Sequence, residues 1–157
     1  LLPTYLIGLT TASSSAALST NLETCEKRLG ISQKVTSFGV PLGQVVFKTG
    51  GAIGFLLMAL GLAENYDVAV TLPWAVTAVL ITGILAVAAA PVPGGYLPCY
   101  TVLMTQLGIP EEAIALAIAG NVILDFFMTS CGLACLQSEL VLVSNRLGLL
   151  DTEILKN

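Results

Sequence analysis

The stretch VVFKTGGA, residues 45–52, interrupts one of the most apolar parts of this chain. Its lysine, Lys48, falls near the centre of an apolar block that covers residues 36–63. A charged side chain at the depth of a bilayer costs several kcal/mol unless it faces a polar cavity or a partner. Gly50 and Gly51 weaken a helix at this point, and unwound backbone is tolerated there only where it lines a cavity or is buried in protein. The stretch therefore predicts a membrane-crossing helix that is broken at its middle, with a cation at the break.

The composition agrees with a protein embedded in a lipid bilayer. Hydrophobic residues make up 55% of the 157 residues and charged residues only 10%, and the mean hydropathy is +0.90. Soluble domains carry about 25% charged residues. The net charge of −4 rests on six basic and ten acidic residues, so the chain has no basic patch of the kind that nucleic acid requires. Nucleic acid is therefore excluded as a partner.

Residue types also argue against a metal centre and an enzyme. The chain has no histidine and four scattered cysteines, which removes the usual zinc ligand sets and gives no disulfide framework. Cys131 and Cys135 would share a helix face, where packing between close helices is a better explanation than a redox or metal role. No pair of nucleophile and base is visible. We predict a protein that is not an enzyme and that holds neither metal nor cofactor.

Four segments follow from the lengths of the apolar blocks. A helix that crosses the bilayer needs about 20 apolar residues. Residues 33–63 and 111–147 contain runs long enough to cross, whereas residues 1–29 and 68–107 are interrupted by TTASSSAALST and PVPGG. We therefore predict an all-α membrane protein with two transmembrane helices, at least one of them broken, and two re-entrant helical hairpins.

Charge predicts the orientation of these segments. Basic side chains lie before the second segment and after the fourth, and acidic side chains cluster at the opposite ends. By the positive-inside rule, residues 27–34 and the C-terminus are cytoplasmic, and residues 64–67 and 108–112 are outside. A hairpin and a span are thus repeated in opposite orientation, which is typical of secondary transporters. The alternative is four ordinary membrane helices in which glycine serves only for packing.

Two charges and two loops are the candidate site. Lys48 and Asp125 are the only charges deep inside predicted spans, so we expect them to neutralise one another, either in a functional site or in a purely structural ion pair. The serine run Ser13 to Ser15 offers hydroxyls and free backbone amides at the start of a short helix, and such groups favour an anion. PVPGG opens the second hairpin, or is an ordinary turn between helices. The candidate binding residues are Ser13, Ser14, Ser15, Val92, Pro93, Gly94 and Asp125.

Four stretches resemble one known family, the sodium- or proton-coupled dicarboxylate and amino-acid symporters. SSSAALSTNLETCEKRLGIS (13–32) resembles the first hairpin of the family, and SFGVPLGQVVFKTGGA (37–52) its seventh span. AAAPVPGGY (88–96) resembles the second hairpin tip, and NVILDFFMTSCG (121–132) the eighth span. The resemblance implies the C-terminal part of an elevator-type transport domain, with an upstream scaffold through which a homotrimer forms.

The chain departs from the family where sodium binds. The family sequence Asn-Met-Asp-Gly-Thr is replaced by FKTGG, residues 47–51, and the sodium-binding asparagine and aspartate of the last span are replaced by Gly132 and Leu136. Sodium requires several hard oxygen ligands, including carboxylates. We therefore expect no sodium coupling at the usual sites of the family.

The chain also departs from the family where the substrate binds. Met128 stands in place of the arginine that holds an acidic side chain, whereas Asp125, which meets the substrate amino group in the family, and Thr129 are kept. Without the bidentate guanidinium, glutamate and aspartate are poor candidates. A small zwitterion or a monocarboxylate fits better.

We predict a secondary active transporter of a small organic solute in the cell membrane. Lys48 would be a built-in cation, the serines would hold a carboxylate, and Asp125 would be either an amine ligand or a proton carrier, with protons as the candidate coupling ion. The alternative is a transport-inactive protein of the same fold with a structural or partner-binding role. A degenerate upstream scaffold would favour that alternative.

Overall fold

The computed structural model describes residues 1–156, and the regular structure of that part is helical apart from one isolated β-bridge between Ile31 and Leu150. This confirms the all-α prediction. The helices are α1 (Leu2–Thr11), α2 (Leu18–Lys27), α3 (Gln33–Val46), α4 (Thr49–Asn65), α5 (Leu72–Ala88), α6 (Leu97–Leu107), α7 (Ala113–Arg146) and α8 (Thr152–Lys156).

The predicted break lies between α3 and α4. Phe47, with φ −89° and ψ 77°, and Lys48, with φ −105° and ψ 46°, both leave the helical region. The N–H of Phe47 still donates to the carbonyl of Gly43 at 2.7 Å, so the helical hydrogen-bond pattern of α3 continues up to the residue at which the chain unwinds. The helix resumes at Thr49, directly before the two glycines. The prediction of a break centred on the lysine is confirmed.

Two helical stretches are long and apolar enough to cross a membrane. They are Gln33–Asn65, which includes the break, and Ala113–Arg146, with 33 and 34 residues. These are the two segments for which the sequence predicts spans. The other helices are shorter: α5 has 17 residues, which corresponds to about 26 Å, less than the roughly 30 Å of a bilayer core.

The remaining long segments form two helix–turn–helix units. The first helical pair is α1 with α2, joined by the first tip, residues 12–17. The second helical pair is α5 with α6, joined by the second tip, residues 89–96. The hydroxyl of Ser13 and the N–H of Ser15 both donate to the carbonyl of Pro91, at 3.3 and 3.2 Å. The two tips are therefore in direct contact.

Helix α7 is the centre of the packing, and it contacts α1 and α4 most extensively. Small residues let these backbones approach closely. A Cβ atom built on Gly50 would overlap the carbonyl oxygen of Met128, and one built on Gly54 would overlap the Met128 thioether. Gly50 therefore fixes the depth at which α4 begins against α7, because backbone cannot move aside as a flexible side chain can.

A buried polar cluster fastens the first helical pair to α7. The amide nitrogen of Gln137, which is 0% exposed, donates to Thr4 Oγ1 and to Asn21 Oδ1, each at 2.8 Å. Thr4 in turn donates to Thr24 Oγ1 at 3.2 Å. Such bonds between side chains hold helices together where no water competes for the donors. The sequence analysis did not single out any of these residues.

Gly50→Ala should destabilise the protein by about 2 kcal/mol, because the added methyl meets backbone of α7. Gly61→Ala is the matched control in the same helix, since nothing lies within 4 Å of a Cβ atom there. It should be neutral or stabilising by up to about 1 kcal/mol. Thermal unfolding of the purified full-length protein measures both changes. Equal effects of the two substitutions would contradict the close approach of α4 and α7.

Candidate functional site

The break, the two tips and α7 converge on one small cavity of about 20 Å³. Of the residues predicted from the sequence, Ser14, Lys48 and Thr129 line it. A volume of this size holds one water molecule but not an amino acid. In this structure the cavity is therefore too small for such a solute.

Asp125 lies beside the cavity on α7 and is only 4% exposed. Its Oδ2 accepts a hydrogen bond from the N–H of Gly94 at 2.9 Å, and its Oδ1 accepts one from Thr129 Oγ1 at 3.4 Å. Gly94 has a φ of 73°, a conformation that favours glycine. The left-handed turn brings its N–H to the carboxylate, so Asp125 holds the second tip closed with a charge-assisted hydrogen bond.

Lys48 holds the same tip from its other end. Its Nζ donates to the carbonyl of Ala89 at 3.4 Å and lies 5.7 Å from the centre of the Tyr96 ring. Ala89 is the C-cap of α5, where the last carbonyls have no partner within the helix. A cation is favoured at this negative end of a helix. Lys48 is thus a capping residue for α5, contributed by a different segment of the chain.

In the part of the chain that the structure describes, Lys48 and Asp125 form no direct ion pair. Both were expected to neutralise one another because both lie deep in predicted spans. Each instead binds a backbone group of the second tip, the lysine a carbonyl and the aspartate an N–H. Helix ends in an apolar environment need such partners. Lys48 and Asp125 are therefore linked by their hydrogen bonds to the same tip rather than by direct contact.

The other predicted residues of the tips lie around this centre in different ways. Ser13 is buried and its hydroxyl is used in the contact between tips, where it also accepts from the N–H of Ala16 at 3.1 Å. Ser15 is exposed and takes part through its backbone. Val92 and Pro93 are exposed and do not line the cavity.

Several residues of the site were not predicted from the sequence. Tyr96 and Tyr100 pack edge-on against Phe55 of α4, with ring centres 5.3 and 5.1 Å apart. The hydroxyl of Tyr100 donates to Asn121 Oδ1 at 3.0 Å, which ties α6 to α7. Gln44 lines the cavity and is 6% exposed. The available signal was a spacing of four residues, which places Tyr96 with Tyr100, and Asn121 with Asp125, on common helix faces.

Thiol and carboxylate groups do not gather into a metal centre anywhere in the described residues. Cys25 and Cys99 are buried, whereas Cys131 and Cys135 are exposed on α7. Within the described residues, Cys131 and Cys135 are therefore not buried between helices.

The comparison with known families follows the same residues. Residues 1–135 match the model of the sodium:dicarboxylate symporter family. The chain belongs to this family. The resemblance of the two tips and of the two long helical segments is thereby confirmed, and the protein is a membrane protein of a family of transporters.

Relatives in the symporter family come from animals and bacteria. The chain is 31% identical over 126 residues to human excitatory amino acid transporter 2, covering 80% of this chain and 22% of that protein. An excitatory amino acid transporter of Caenorhabditis elegans is 30% identical over 126 residues, with 80% and 25% covered. The serine/threonine transporter SstT of Bifidobacterium adolescentis is 32% identical over 110 residues, with 70% and 25% covered. The chain thus spans about a quarter of the length of these symporter relatives.

Replacing Asp125 should open the second tip. Asp125→Ala removes the acceptor for the Gly94 N–H and should cost about 1.5 to 3 kcal/mol, whereas Asp125→Asn keeps an oxygen there and should cost less. Hydrogen exchange at residues 89–96 measures the opening in the full-length protein. Glu139→Ala, at an exposed position of the same helix, is the control. If the rate of hydrogen exchange at residues 89–96 increased equally in all three variants, the carboxylate would not hold the tip.

Proposed function

We propose that this chain is the C-terminal part of the transport domain of a secondary active transporter that moves a small organic solute across the cell membrane. The observation that carries the proposal is the meeting of four elements at one closed cavity, with Lys48 and Asp125 each binding the second tip. Family membership supports transport as the activity. The whole protein would have an upstream scaffold through which it forms a homotrimer. Its transport domain would move across the membrane by an elevator mechanism.

The two helical pairs are proposed to be re-entrant hairpins. Helices α1 and α2 have 10 residues each and α6 has 11, about 15 to 17 Å, which is roughly half of a bilayer core. The hydrogen bonds between the tips support entry from opposite sides. The proposed units are residues 1–29, 33–63, 68–107 and 111–147. Residues 27–34 and the C-terminus would be cytoplasmic, and residues 64–67 and 108–112 outside.

Solute entry requires the second tip to move, because the closed cavity holds one water molecule. When the tip moves away, Asp125 loses the Gly94 N–H and can bind the ammonium group of a solute in its place. The hydroxyls of Ser13, Ser14, Ser15 and Thr129, with the backbone N–H groups of Val92 and Gly94 in the second tip, surround the remainder of the solute. Pro93 and Val92 would contribute mainly shape.

The proposed solute is a small zwitterion or a monocarboxylate. Met128, which lines the cavity, offers no positive charge to an acidic side chain. Relatives in the family are named as transporters of excitatory amino acids and of serine and threonine, so different members act on different amino acids. Lys48 supplies a positive charge near the site, and Asp125 is a candidate proton carrier.

Sodium should not stabilise the full-length protein beyond a general salt effect, because Phe47, Gly132 and Leu136 offer no side-chain oxygen to a cation. Thermal unfolding in sodium, potassium and choline chloride at equal ionic strength checks this expectation. A shift that saturates with sodium alone would show that other oxygens have rebuilt a sodium site.

Lys48→Met, which introduces the residue of the family, should reduce uptake by about tenfold or more, equivalent to ~1.4 kcal/mol, because the second tip loses its partner at Ala89. The matched control is Lys34→Met at an exposed position at the start of α3. Uptake of labelled amino acids and monocarboxylates into proteoliposomes, at several pH values, gives the measurement. Unchanged uptake and pH dependence in Lys48→Met would leave the lysine a structural residue only.

The alternative proposal is a transport-inactive membrane protein of the same fold. The observation that favours it is the occupation of the site by its own groups, with Lys48 on Ala89 and Asp125 on Gly94. In that case neither uptake nor exchange of any tested solute occurs in proteoliposomes, and Asp125→Asn changes stability alone.

A further inference from the structure

The closed cavity is rich in hydrogen-bond donors. The side-chain nitrogen of Gln44 is fully buried and has no hydrogen-bond partner, although the residue lines the cavity and is 6% exposed. A buried donor without a partner destabilises the folded state. The hydroxyls of Ser14 and Tyr96 border the same space. These groups together favour an acceptor at the centre of the cavity.

The cavity also carries a positive charge that no carboxylate among the described residues contacts directly. Lys48 lines it, and its one hydrogen bond in the structure goes to a carbonyl rather than to a carboxylate. Asp125 is not among the residues that line the cavity, and its oxygens accept from Gly94 and Thr129. A half-buried ammonium group without an anion in contact is unfavourable at this depth.

The direction of α4 adds to this field. The helix begins at Thr49, directly after Lys48, and Gly51 of its first turn lines the cavity. The first N–H groups of a helix have no partner within it, and its N-terminus is positive. The 17 residues of α4 give a full helix dipole. The ammonium group, the amide and the helix terminus thus all belong to residues that line one cavity.

The size of the cavity limits the ligand. About 20 Å³ accommodates one atom-sized ligand, whereas a carboxylate would bring at least three heavy atoms. Phe47, Met128, Leu133 and Leu136 form apolar parts of the wall, and Thr129 adds another hydroxyl. A partly apolar wall suits a weakly hydrated ion better than a phosphate or sulfate, which needs donors around its whole surface.

We propose that this cavity binds a single halide ion, chloride under ordinary conditions, between Lys48 and the amide nitrogen of Gln44. The ion neutralises the lysine and gives Gln44 the acceptor that it lacks. It is a structural ion of the closed arrangement, separate from the solute, and the inference holds whether or not the protein transports.

The test uses the purified full-length protein without solute and without sodium. Choline chloride is titrated against choline gluconate at constant ionic strength, and the thermal unfolding midpoint is measured. Binding to the native state alone should raise the midpoint by about 2 to 4 °C with saturation. Bromide should replace chloride, and acetate should not. A stabilisation by acetate as large as that by chloride would show a carboxylate subsite and overturn the proposal.

Two variants locate the effect. Gln44→Glu places a carboxylate beside Lys48, so the chloride effect should disappear while the protein remains as stable as wild type in high chloride. Lys48→Met should also abolish the chloride effect. The matched controls Gln33→Glu and Lys34→Met, at exposed positions in the first turn of α3, should keep it. Retention of the saturating shift in both Gln44→Glu and Lys48→Met, or absence of any chloride shift in wild type, overturns the proposal.

Anomalous diffraction from crystals of the full-length protein grown in bromide gives a position. One peak within hydrogen-bond distance of Lys48 Nζ and Gln44 Nε2 is expected. Peaks confined to the protein surface would contradict the site, and a peak in the cavity without a chloride shift in solution would mark binding at crystal concentration only and equally overturn the proposal.

Discussion

The arrangement of this chain depends on the need to satisfy backbone groups at helix ends that lie in an apolar environment. The second tip has a carbonyl at Ala89, at the end of α5, and an N–H at Gly94 that faces α7. Lys48 binds the first and Asp125 binds the second. The first tip is attached to the same loop through the carbonyl of Pro91. Buried backbone groups are cut off from water, so charged and hydroxyl side chains lie where the chain is broken.

Much of the fold was predictable because its signals are local. The break follows from a lysine and two glycines in an apolar run. The helical pairs follow from the serines of the first tip and the prolines and glycines of the second, which interrupt apolar segments. Block lengths then separated the two spans from the shorter helices. Such features depend on a few neighbouring residues, and these are visible in one sequence.

The partners of the charges were not predictable in the same way. Depth along a span suggested that Lys48 and Asp125 face one another, but depth does not give the direction of a side chain. Lys48 instead reaches a carbonyl 41 positions further along the chain. Gln44 and Gln137 were missed for the same reason, since a single polar residue in an apolar helix does not reveal which neighbour it meets. The resemblance to a family implied Asp125 and Thr129 as candidate binding positions, yet it could not describe Lys48, where the family has methionine.

The second helical pair has an electrical property that follows from its composition. Residues 68–110 contain no acidic and no basic side chain, so α5, the second tip and α6 carry no formal charge. The charges that bind this unit, Lys48 and Asp125, belong to the two long helical segments. A charge that crosses the membrane potential exchanges about 2.3 kcal/mol per 100 mV. Movement of the second tip would therefore displace no formal charge of this unit, and the membrane voltage would act on the unit only through the dipoles of its helices.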